Sequence, residues 1–410
     1  MKRNIFLVIF IILLFSASAY AGDFSGNLTY SGQYNFTEHN LSNALSLDLN
    51  YVHSFTDEIY IEGDLVIRYS DNSSLNPVMI MPKELYIGTY DLLPGFDLNA
   101  GMLVVNWGSA DMLSPLDNFN PSPPLTSFSS FSSKNGVWAI DATYYFDDVT
   151  YLQGVYLPRF TPSYIPEAYE KQLYLSMFSP QFEAQGIDIS GINLSRNLPE
   201  KPAWGAKLSR SFTSFDAALS YYSGYYFNAY PESVIPVPDV AGFSLDMELG
   251  YPKKNVFGFE FQGDFPGIEG ATLRGDIAYI VPQPWEVQGE YLLKDPYWKA
   301  AIGADYTTSS NLYLNAGYIW GFTTEEGAAC SPYIFLNVNK ELEDSKFKPS
   351  YMVGISLRDW SMLNNVGVSY NVNDDLSLTL SCLFIVGDET SKFGQMKSTE
   401  GIFLTGEWTF

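Results

Sequence analysis

The chain is short of the residues that most catalytic and disulfide-bonded proteins depend on. It has two cysteines and two histidines among 410 residues, and only 17% of its residues are charged. A typical soluble domain carries about 25% charged residues. Beyond the first 21 residues, no apolar run approaches the roughly 20 residues that a membrane-spanning helix needs. These shortages argue against an ordinary cytosolic enzyme, a disulfide scaffold and a helical membrane protein.

Aromatic residues and acids are abundant instead. Tyr, Phe and Trp make up 16% of the chain, and 46 acids against 22 Lys and Arg give a net charge of −24. An intrinsically disordered acidic chain would lack these aromatics. A nucleic-acid-binding role is disfavoured, because phosphate contacts require clustered basic residues. Cys330 and Cys382 fall on strands predicted not to be neighbours, so we expect no disulfide between them.

The first 21 residues have the pattern of a secretory signal peptide. Lys2 and Arg3 precede an apolar run over residues 5–15, and Ala19 and Ala21 flank Tyr20 as a small-x-small cleavage site. We expect cleavage before Gly22, which takes the net charge from −24 to −26 by removing the two basic residues. The alternative is an uncleaved anchor, but the apolar run is shorter than a membrane span.

Residues 22–410 repeat one pattern, the alternation of apolar and polar side chains. From Phe24 to Phe36, apolar residues and glycines occupy every second position, and polar residues fill the positions between them. Successive side chains of a strand point to opposite faces, so each such segment has one apolar and one polar face. Eighteen strands are predicted, within a range of 14 to 18, at residues 24–36, 44–55, 58–69, 84–92, 96–107, 136–146, 149–157, 202–212, 215–224, 254–264, 271–281, 297–306, 311–321, 331–339, 348–358, 361–371, 376–386 and 400–410.

Short and long connections alternate between these strands, as in an outer-membrane barrel. The long ones cover about residues 70–83, 108–135, 158–201, 225–253 and 281–296. The predicted fold is therefore all-β, a single antiparallel transmembrane β-barrel over residues 22–410. Closure pairs every backbone group within the lipid, and 16 to 18 strands enclose an aqueous channel.

The last strand carries a recognisable terminal pattern. Ile402, Leu404, Gly406 and Trp408 share one face with the terminal Phe410. This resembles the C-terminal signature of Gram-negative-type outer-membrane barrels, in which a terminal Phe helps the barrel-assembly machinery to recognise the strand. The resemblance implies a bacterial outer-membrane location, with lipid and that machinery as partners.

A second, scattered resemblance points to porin-like barrels related to alginate-export proteins. It rests on residues 106–111 with 118–121, on residues 303–306 and 312–318, and on Gly387 with Phe393 and Gly394. It implies passive passage of small hydrophilic solutes, and a homotrimer as in porins. An exporter of acidic polysaccharide should have a basic lining, so the acidic balance argues against alginate itself.

Strand parity predicts which charged side chains line the channel. The predicted pore-lining residues are Asp48, Glu62, Asp64, Arg68, Asp97, Asp141, Lys207, Glu260, Arg274, Asp276, Lys299, Asp305 and Arg358. Acids outnumber bases, which favours cations, because rings of charge set pore selectivity. The alternative is that acids and bases pair across strands and leave little net field.

Two long loops carry further predictions. The loop over residues 108–135 contains four prolines and is a candidate constriction, with Asp111 and Asp117 as its acids. The alternative is a surface loop stiffened by its prolines. In the loop over residues 158–201, Pro166 stands where a short helix through Phe178 would begin. That helix would line the mouth or serve as an exposed cover.

An enzymatic role is not expected. Outer-membrane hydrolases need a base that titrates near neutral pH, and only His39 and His53 are present. Neither lies in a recognisable serine motif, and no metal-ligand spacing or phosphate-binding loop occurs, so no metal or cofactor is predicted. The alternative to a channel is a structural or adhesive surface barrel that acts through its long loops.

Overall fold

The computed structural model describes residues 22–71, 78–110, 113–121, 134–163, 165, 167–239, 242–322, 324–342 and 345–410. The predicted signal peptide over residues 1–21 lies outside the described residues. Eighteen strands of the described chain form one sheet. They are β1 (Asp23–Asn35), β2 (Leu41–Ser54), β3 (Ile59–Ser70), β4 (Val78–Leu93), β5 (Phe96–Leu103), β6 (Val137–Asp147), β7 (Thr150–Leu157), β9 (Ala203–Ser211), β10 (Phe215–Tyr225), β13 (Lys253–Asp264), β14 (Ala271–Pro282), β17 (Tyr297–Thr307), β18 (Leu312–Trp320), β19 (Pro332–Lys340), β20 (Phe347–Ser356), β21 (Met362–Asn371), β22 (Leu376–Val386) and β23 (Gly401–Thr409).

The strands have two unlike faces, as their alternation predicts. In β9, Trp204 and Leu208 are 46% and 47% exposed, whereas Lys207 between them is 6% exposed. We call the side that carries exposed apolar residues the apolar face, and the opposite side the polar face. Exposed apolar side chains alternating with covered polar ones are the inverse of a soluble sheet, which buries its apolar side.

The first and last strands of the sheet are neighbours. β1 pairs antiparallel with β2 and also with β23, where Leu28 lies opposite Trp408. Backbone hydrogen bonds of 2.9 Å in both directions join Gly26 and Phe410. The fold is an antiparallel β-barrel, and the predicted number of 18 strands is confirmed.

The largest differences from the predicted strand boundaries are in β4 and β5. β4 begins at Val78 rather than at residue 84, and its register against β3 shifts between Asp64 and Leu65. This bulge interrupts the alternation that the prediction relied on. β5 ends at Leu103 rather than at residue 107, and the chain then leaves the sheet.

The long loops contain ordered structure that the alternation did not indicate. Helix α1 (Glu167–Glu183) extends beyond the predicted end at Phe178, and Pro166 lies outside the described residues. Strands β8 (Ile189–Arg196), β11 (Tyr230–Asp239) and β12 (Gly242–Gly250) form a three-stranded sheet, and β15 (Trp285–Val287) and β16 (Glu290–Leu293) form a hairpin. Two short 3₁₀ helices lie at Gly327–Ala329 and Gly394–Thr399.

Helix α1, the three-stranded sheet and the hairpin make up what we call the loop subdomain. They share a buried apolar core: Tyr174, Phe178, Phe182, Ile192, Val234, Leu245, Met247, Leu249 and Val287. β8 runs parallel to β12, so their pairing joins two different loops of the barrel. The predicted long connections at residues 158–201, 225–253 and 281–296 each contribute to this core.

The chain falls into two compact units. The first takes residues up to Leu103, Asp305–Ala316 and Phe335–Phe410, and the second takes Val104–Ala304 and Gly317–Ile334. Cys330 is buried, Cys382 is half-buried, and the two are not joined by a disulfide. No helix within the described ranges is both long enough and apolar enough to span a membrane.

Candidate functional site

The segment after β5 lies against the polar face of the second unit. We call residues 104–110 and 113–121 the inner segment. Four of its apolar side chains are fully buried: Val105, Trp107, Leu116 and Phe119. The described residues of the predicted loop 108–135 that precede residue 122 therefore pack on the sheet and do not project into solvent.

Two glycines on the sheet make room for this segment. A Cβ atom at Gly205 of β9 would lie 2.7 Å from the Phe119 ring and 2.8 Å from the Trp107 ring. At Gly258 of β13 it would lie 2.5 Å from Leu116 Cδ2. Glycine in a strand commonly marks such a close approach. In the sequence, these glycines are the signal for a covered wall, which the alternation of the strands alone does not reveal.

Aromatic contacts continue from the segment into the sheet. The Trp107 and Phe119 rings are 4.7 Å apart, and Phe119 and Tyr222 of β10 are 5.0 Å apart, both edge to face. Trp107 Nε1 donates to Gln153 Oε1 of β7 at 2.9 Å. The buried indole thus has the hydrogen-bond partner that it needs.

Two strand carboxylates bind the backbone of the inner segment. Glu260 Oε2 accepts from Gly108 N at 2.8 Å. Asp276 Oδ1 accepts from Ser109 N at 2.9 Å, and Asp276 Oδ2 accepts from Ala110 N at 2.9 Å. The Ser109 hydroxyl also donates to Asp276 Oδ1, at 3.0 Å. Both acids were predicted to line a channel; the structure places them beneath this segment.

Asparagines hold the other end of the inner segment. Asn120 bonds both backbone groups of Val105, accepting from its N at 3.0 Å and donating to its O at 2.5 Å. Asn118 Oδ1 accepts from Lys254 Nζ of β13 at 2.7 Å. Lys254 Nζ also lies 4.8 Å from the centre of the Tyr226 ring, within cation–π range. Lys254, which was not among the predicted site residues, thus fixes the segment to the wall.

The two acids predicted for the constriction have different outcomes. Asp111 lies outside the described residues. Asp117 is part of the inner segment, where its Oδ2 lies 3.0 Å from Lys134 Nζ and its Oδ1 accepts from Asn120 Nδ2 at 2.9 Å. Burial raises the pKa of Asp117, and the Lys134 ammonium partly offsets that rise.

A second group of charges lies on the polar face of β2, β3 and β4 in the first unit. Asp64 Oδ2 forms a 3.0 Å salt bridge with Lys83 Nζ, and Glu62 Oε2 accepts from the Tyr86 hydroxyl at 2.7 Å. Asp48 and Arg68 have the same strand parity as this group, and each is only half-buried. Lys83 was not among the predicted wall residues, because it falls in the predicted loop over residues 70–83. It lies instead at the bulge of β4.

The remaining predicted wall residues are spread along the sheet. In the second unit, Lys207 Nζ lies 3.3 Å from Glu260 Oε1, and Lys299 Nζ lies 3.3 Å from Glu326 Oε1. Asp141 accepts two hydrogen bonds from the Gln153 amide, at 3.0 and 2.9 Å. Arg274 on β14 and Asp305 on β17 are half-buried.

Two predicted wall residues lie at turns. Asp97 is the second residue of β5, and its Oδ1 accepts from Asp91 N at 2.8 Å across the β4–β5 turn. Arg358 is exposed and lies beyond Ser356, where β20 ends. The predicted strand over residues 348–358 was two residues too long at this end, so strand parity does not assign Arg358 to either face.

The terminal aromatics lie on the apolar face beside the pairing of β23 with β1. Trp408 and Phe410 have ring centroids 5.1 Å apart, and Phe410 lies 6.3 Å from the Phe24 ring. A Cβ atom at Gly26 would come within 2.7 Å of the Phe410 ring, so a glycine is what lets this ring lie across β1.

The two histidines lie in different surroundings. His39 has a φ of 52° in the exposed connection between β1 and β2. The His53 ring lies 6.3 Å from Tyr51 and 4.9 Å from Phe55, within an aromatic row of β2. Across the residues that the structure describes, no group of three His, Cys, Asp or Glu side chains is placed to hold a metal ion.

A scan against known protein families gave no match, and a search of curated proteins gave none either. Among solved structures, the chain is similar to Salmonella typhi OmpF in complex with daunomycin, at 11% identity and a TM-score of 0.45, covering 95% of this chain and 97% of that one. It is also similar to a loop-deletion mutant of OmpT, an outer membrane protein of Vibrio cholerae, at 10% identity and a TM-score of 0.43, covering 95% and 99%. A triple mutant of Rh. blastica porin matches at 11% identity and a TM-score of 0.44, covering 95% and 100%.

Proposed function

We propose that the protein is a channel of the bacterial outer membrane for the passive diffusion of small hydrophilic solutes. The observation that carries the proposal is the two-faced barrel wall. Apolar side chains such as Trp204 and Leu208 are exposed on one face, and polar side chains such as Lys207 lie on the other. Extensive exposed apolar surface marks a site of interaction with another apolar phase.

Lipid is the phase that suits a sheet of this kind. In a bilayer every backbone N–H and C=O must be paired within the protein, which a barrel achieves. Most of the 18 strands have at least the 9–11 residues that a tilted transmembrane strand requires. The signal-peptide pattern of residues 1–21 supports export to that membrane.

The polar face then lines a lumen that the inner segment narrows. Eighteen strands leave an interior wider than side chains can fill, so it holds water. Trp107 and Phe119 anchor the segment against the lumen wall, with Asp117 as its acid. The half-buried wall charges at mid-strand positions, such as Asp48 and Glu62, are the expected contacts of a permeating solute.

The preference of the channel is for cations. On β2–β4, Asp64 is bound to Lys83, whereas Glu62 accepts from a neutral hydroxyl, and Asp48 has no salt bridge to a described residue. In the second unit, Glu260 and Asp276 are engaged by backbone N–H groups and Lys207. Lys83 and Arg68 offset part of the charge of Asp48 from a distance. Asp48 and Glu62 still attract cations, because wall charge sets selectivity.

Reconstitution into planar bilayers tests the proposal. The purified barrel should give stable conductance steps, with a reversal potential in a KCl gradient that favours K⁺ over Cl⁻. Deletion of residues 112–130 should raise the single-channel conductance, and an unchanged value would remove the constriction role.

A second candidate function is a surface barrel that acts through its loops. The loop subdomain favours it, because its buried core gives the outside of the protein a defined shape. A folded barrel that leaves the bilayer silent would favour this function over the channel.

The partners that accompany the channel proposal are lipid, solute and the assembly machinery. The apolar face contacts the membrane lipid, and the strand that ends at Trp408 and Phe410 presents the signal to the barrel-assembly machinery. A homotrimer is proposed as well. Native mass spectrometry of the detergent-extracted protein measures it, and a single-chain mass would contradict it.

A further inference from the structure

Three consecutive backbone N–H groups of the inner segment point at carboxylates. Those of Gly108, Ser109 and Ala110 donate over 2.8 to 2.9 Å to Glu260 and Asp276. Successive N–H groups directed into one concavity form an anion-binding arrangement. Here the anion is part of the same chain, so the arrangement fixes the segment to the wall.

The two carboxylates are direct neighbours on the sheet. Glu260 of β13 lies opposite Asp276 of β14 in the antiparallel register. Like charges in that position repel each other. Asp276 is also 0% exposed, and a buried carboxylate is stable only when its oxygens are bonded. The backbone N–H groups meet this need for Asp276, and Gly108 N with Lys207 Nζ meets it for Glu260.

The geometry at Gly108 shows how closely the segment fits. Its φ is +97°, a conformation that favours glycine. A Cβ atom there would lie 2.6 Å from Asp276 Oδ2 and 2.0 Å from Ser114 Oγ. The first N–H of the series therefore reaches Glu260 only because residue 108 has no side chain.

We infer that Glu260 and Asp276 are positioning residues that act as a latch on the inner segment and thereby set the bore of the channel; this rests on the proposed function. Hydrogen bonds to ionised carboxylates are about twice as strong as neutral ones. An asparagine at position 276 offers one acceptor oxygen, and its NH₂ group would face an N–H donor. Without the carboxylate, the backbone at Ser109 and Ala110 is no longer held at the wall.

The test compares Asp276→Asn, Glu260→Gln and Ser109→Ala in planar bilayers. The width of the bore is measured by the single-channel conductance and by the largest polyethylene glycol that enters the pore. Asp276→Asn should raise both, and Glu260→Gln should raise them less, because the glutamine oxygen still accepts from Gly108 N. Ser109→Ala should shift them least, since it removes one neutral hydroxyl. Asp374→Asn, which removes a carboxylate from an exposed turn, is the charge-matched control and should leave the polymer cut-off unchanged.

Two measurements separate the latch from a general loss of structure and from failure of the proposed function. Heat-modifiable migration on a gel shows whether each variant is a folded barrel. Lys134 forms a salt bridge with Asp117 of the inner segment. Trypsin cleavage at Lys134 should therefore be faster in Asp276→Asn than in wild type, whether or not the barrel conducts. If Asp276→Asn does not fold, Gly108→Ala should give the wider bore, since its Cβ displaces the N–H series while both charges stay.

If the wild-type barrel conducts and the folded variants keep its polymer cut-off and cleavage rate, the latch is contradicted and the channel is not. A silent wild type overturns the channel and with it the role of the latch in setting a bore.

Discussion

Gly205 offers a direct test of how the inner segment is held. A Cβ atom at this position of β9 would lie 2.7 Å from Phe119 Cζ, 2.8 Å from Trp107 Cη2 and 2.8 Å from the backbone oxygen of Tyr221. Ordinary contacts begin at 3.4 Å, so the methyl group of an alanine would have to displace these atoms by 0.6 to 0.7 Å. The two rings are fully buried and the oxygen belongs to the neighbouring strand, so none of the three yields easily.

The expected cost follows from this crowding. Adding a methyl group to a packed site typically costs about 1–3 kcal/mol. Replacing glycine by alanine in an unstrained conformation returns roughly 0.4–1 kcal/mol by restricting the unfolded chain. Gly205→Ala should therefore weaken docking of the inner segment by about 1–2 kcal/mol, which is a factor of roughly 5–30 in its equilibrium.

Gly154→Ala is the matched control. Gly154 lies on the adjacent strand β7, opposite Ala206, and its Cβ atom would meet nothing within 4 Å. Urea unfolding of both variants in lipid vesicles, with single-channel recording, checks the prediction. Gly205→Ala should lower the urea midpoint and raise the conductance or its noise, whereas Gly154→Ala should do neither. Equal behaviour of the two variants would refute the tight packing of Trp107 and Phe119 on β9.

Three further predictions concern charge, pH and assembly. Asp48→Asn and Glu62→Gln should each lower the K⁺ over Cl⁻ permeability ratio, since each removes a wall carboxylate; unchanged reversal potentials would argue against that wall as the selectivity determinant. Burial raises the pKa of Glu170 in the loop subdomain above 4.5, so its contribution to stability is present below pH 4.5 and is lost as the pH rises through the raised pKa. Protease resistance of wild type should therefore fall relative to Glu170→Gln between pH 4 and pH 7, and parallel profiles would contradict this. Phe410→Ala should slow formation of the heat-modifiable barrel, because it removes the ring contacts with Trp408 and Phe24; wild-type kinetics would count against a role in assembly.

The barrel strands could be predicted from sequence because the side chains of each strand alternate between two different environments. A strand such as β9 alternates Trp204 and Leu208 with Lys207, whatever its neighbours are. Errors arose where the period is broken. The bulge beside Asp64 hid the start of β4, and the departure of the chain after Leu103 hid the end of β5.

The loop subdomain could not be predicted in the same way. β11 contains Pro231, Pro236 and Pro238, which argue against a strand unless it lies at a sheet edge, as this one does. Its core combines side chains from separate connections, such as Phe178 and Leu245. No local pattern encodes that combination. Only helix α1 had a local signal, the proline at the predicted helix start.

The candidate site was predicted in part. Parity identified Glu260 and Asp276 as polar-face acids, but it treated them as contacts for a solute. Their partners are backbone N–H groups of Gly108, Ser109 and Ala110, which have no side-chain signature in a sequence. Lys83 was missed because the period that should have placed it is broken at the bulge.

The parallel pairing of β8 with β12 has a consequence for the order of folding. Ile192 lies opposite Leu245, across more than fifty residues that include the barrel strands β9 and β10. Contacts between distant parts of a chain form late, because the intervening loop must first be closed at a cost in entropy. The hairpins formed by β6 with β7 and by β9 with β10 are local and can form early. The loop subdomain should therefore gain protease resistance during refolding only after these hairpins, which bring its pieces together, have paired.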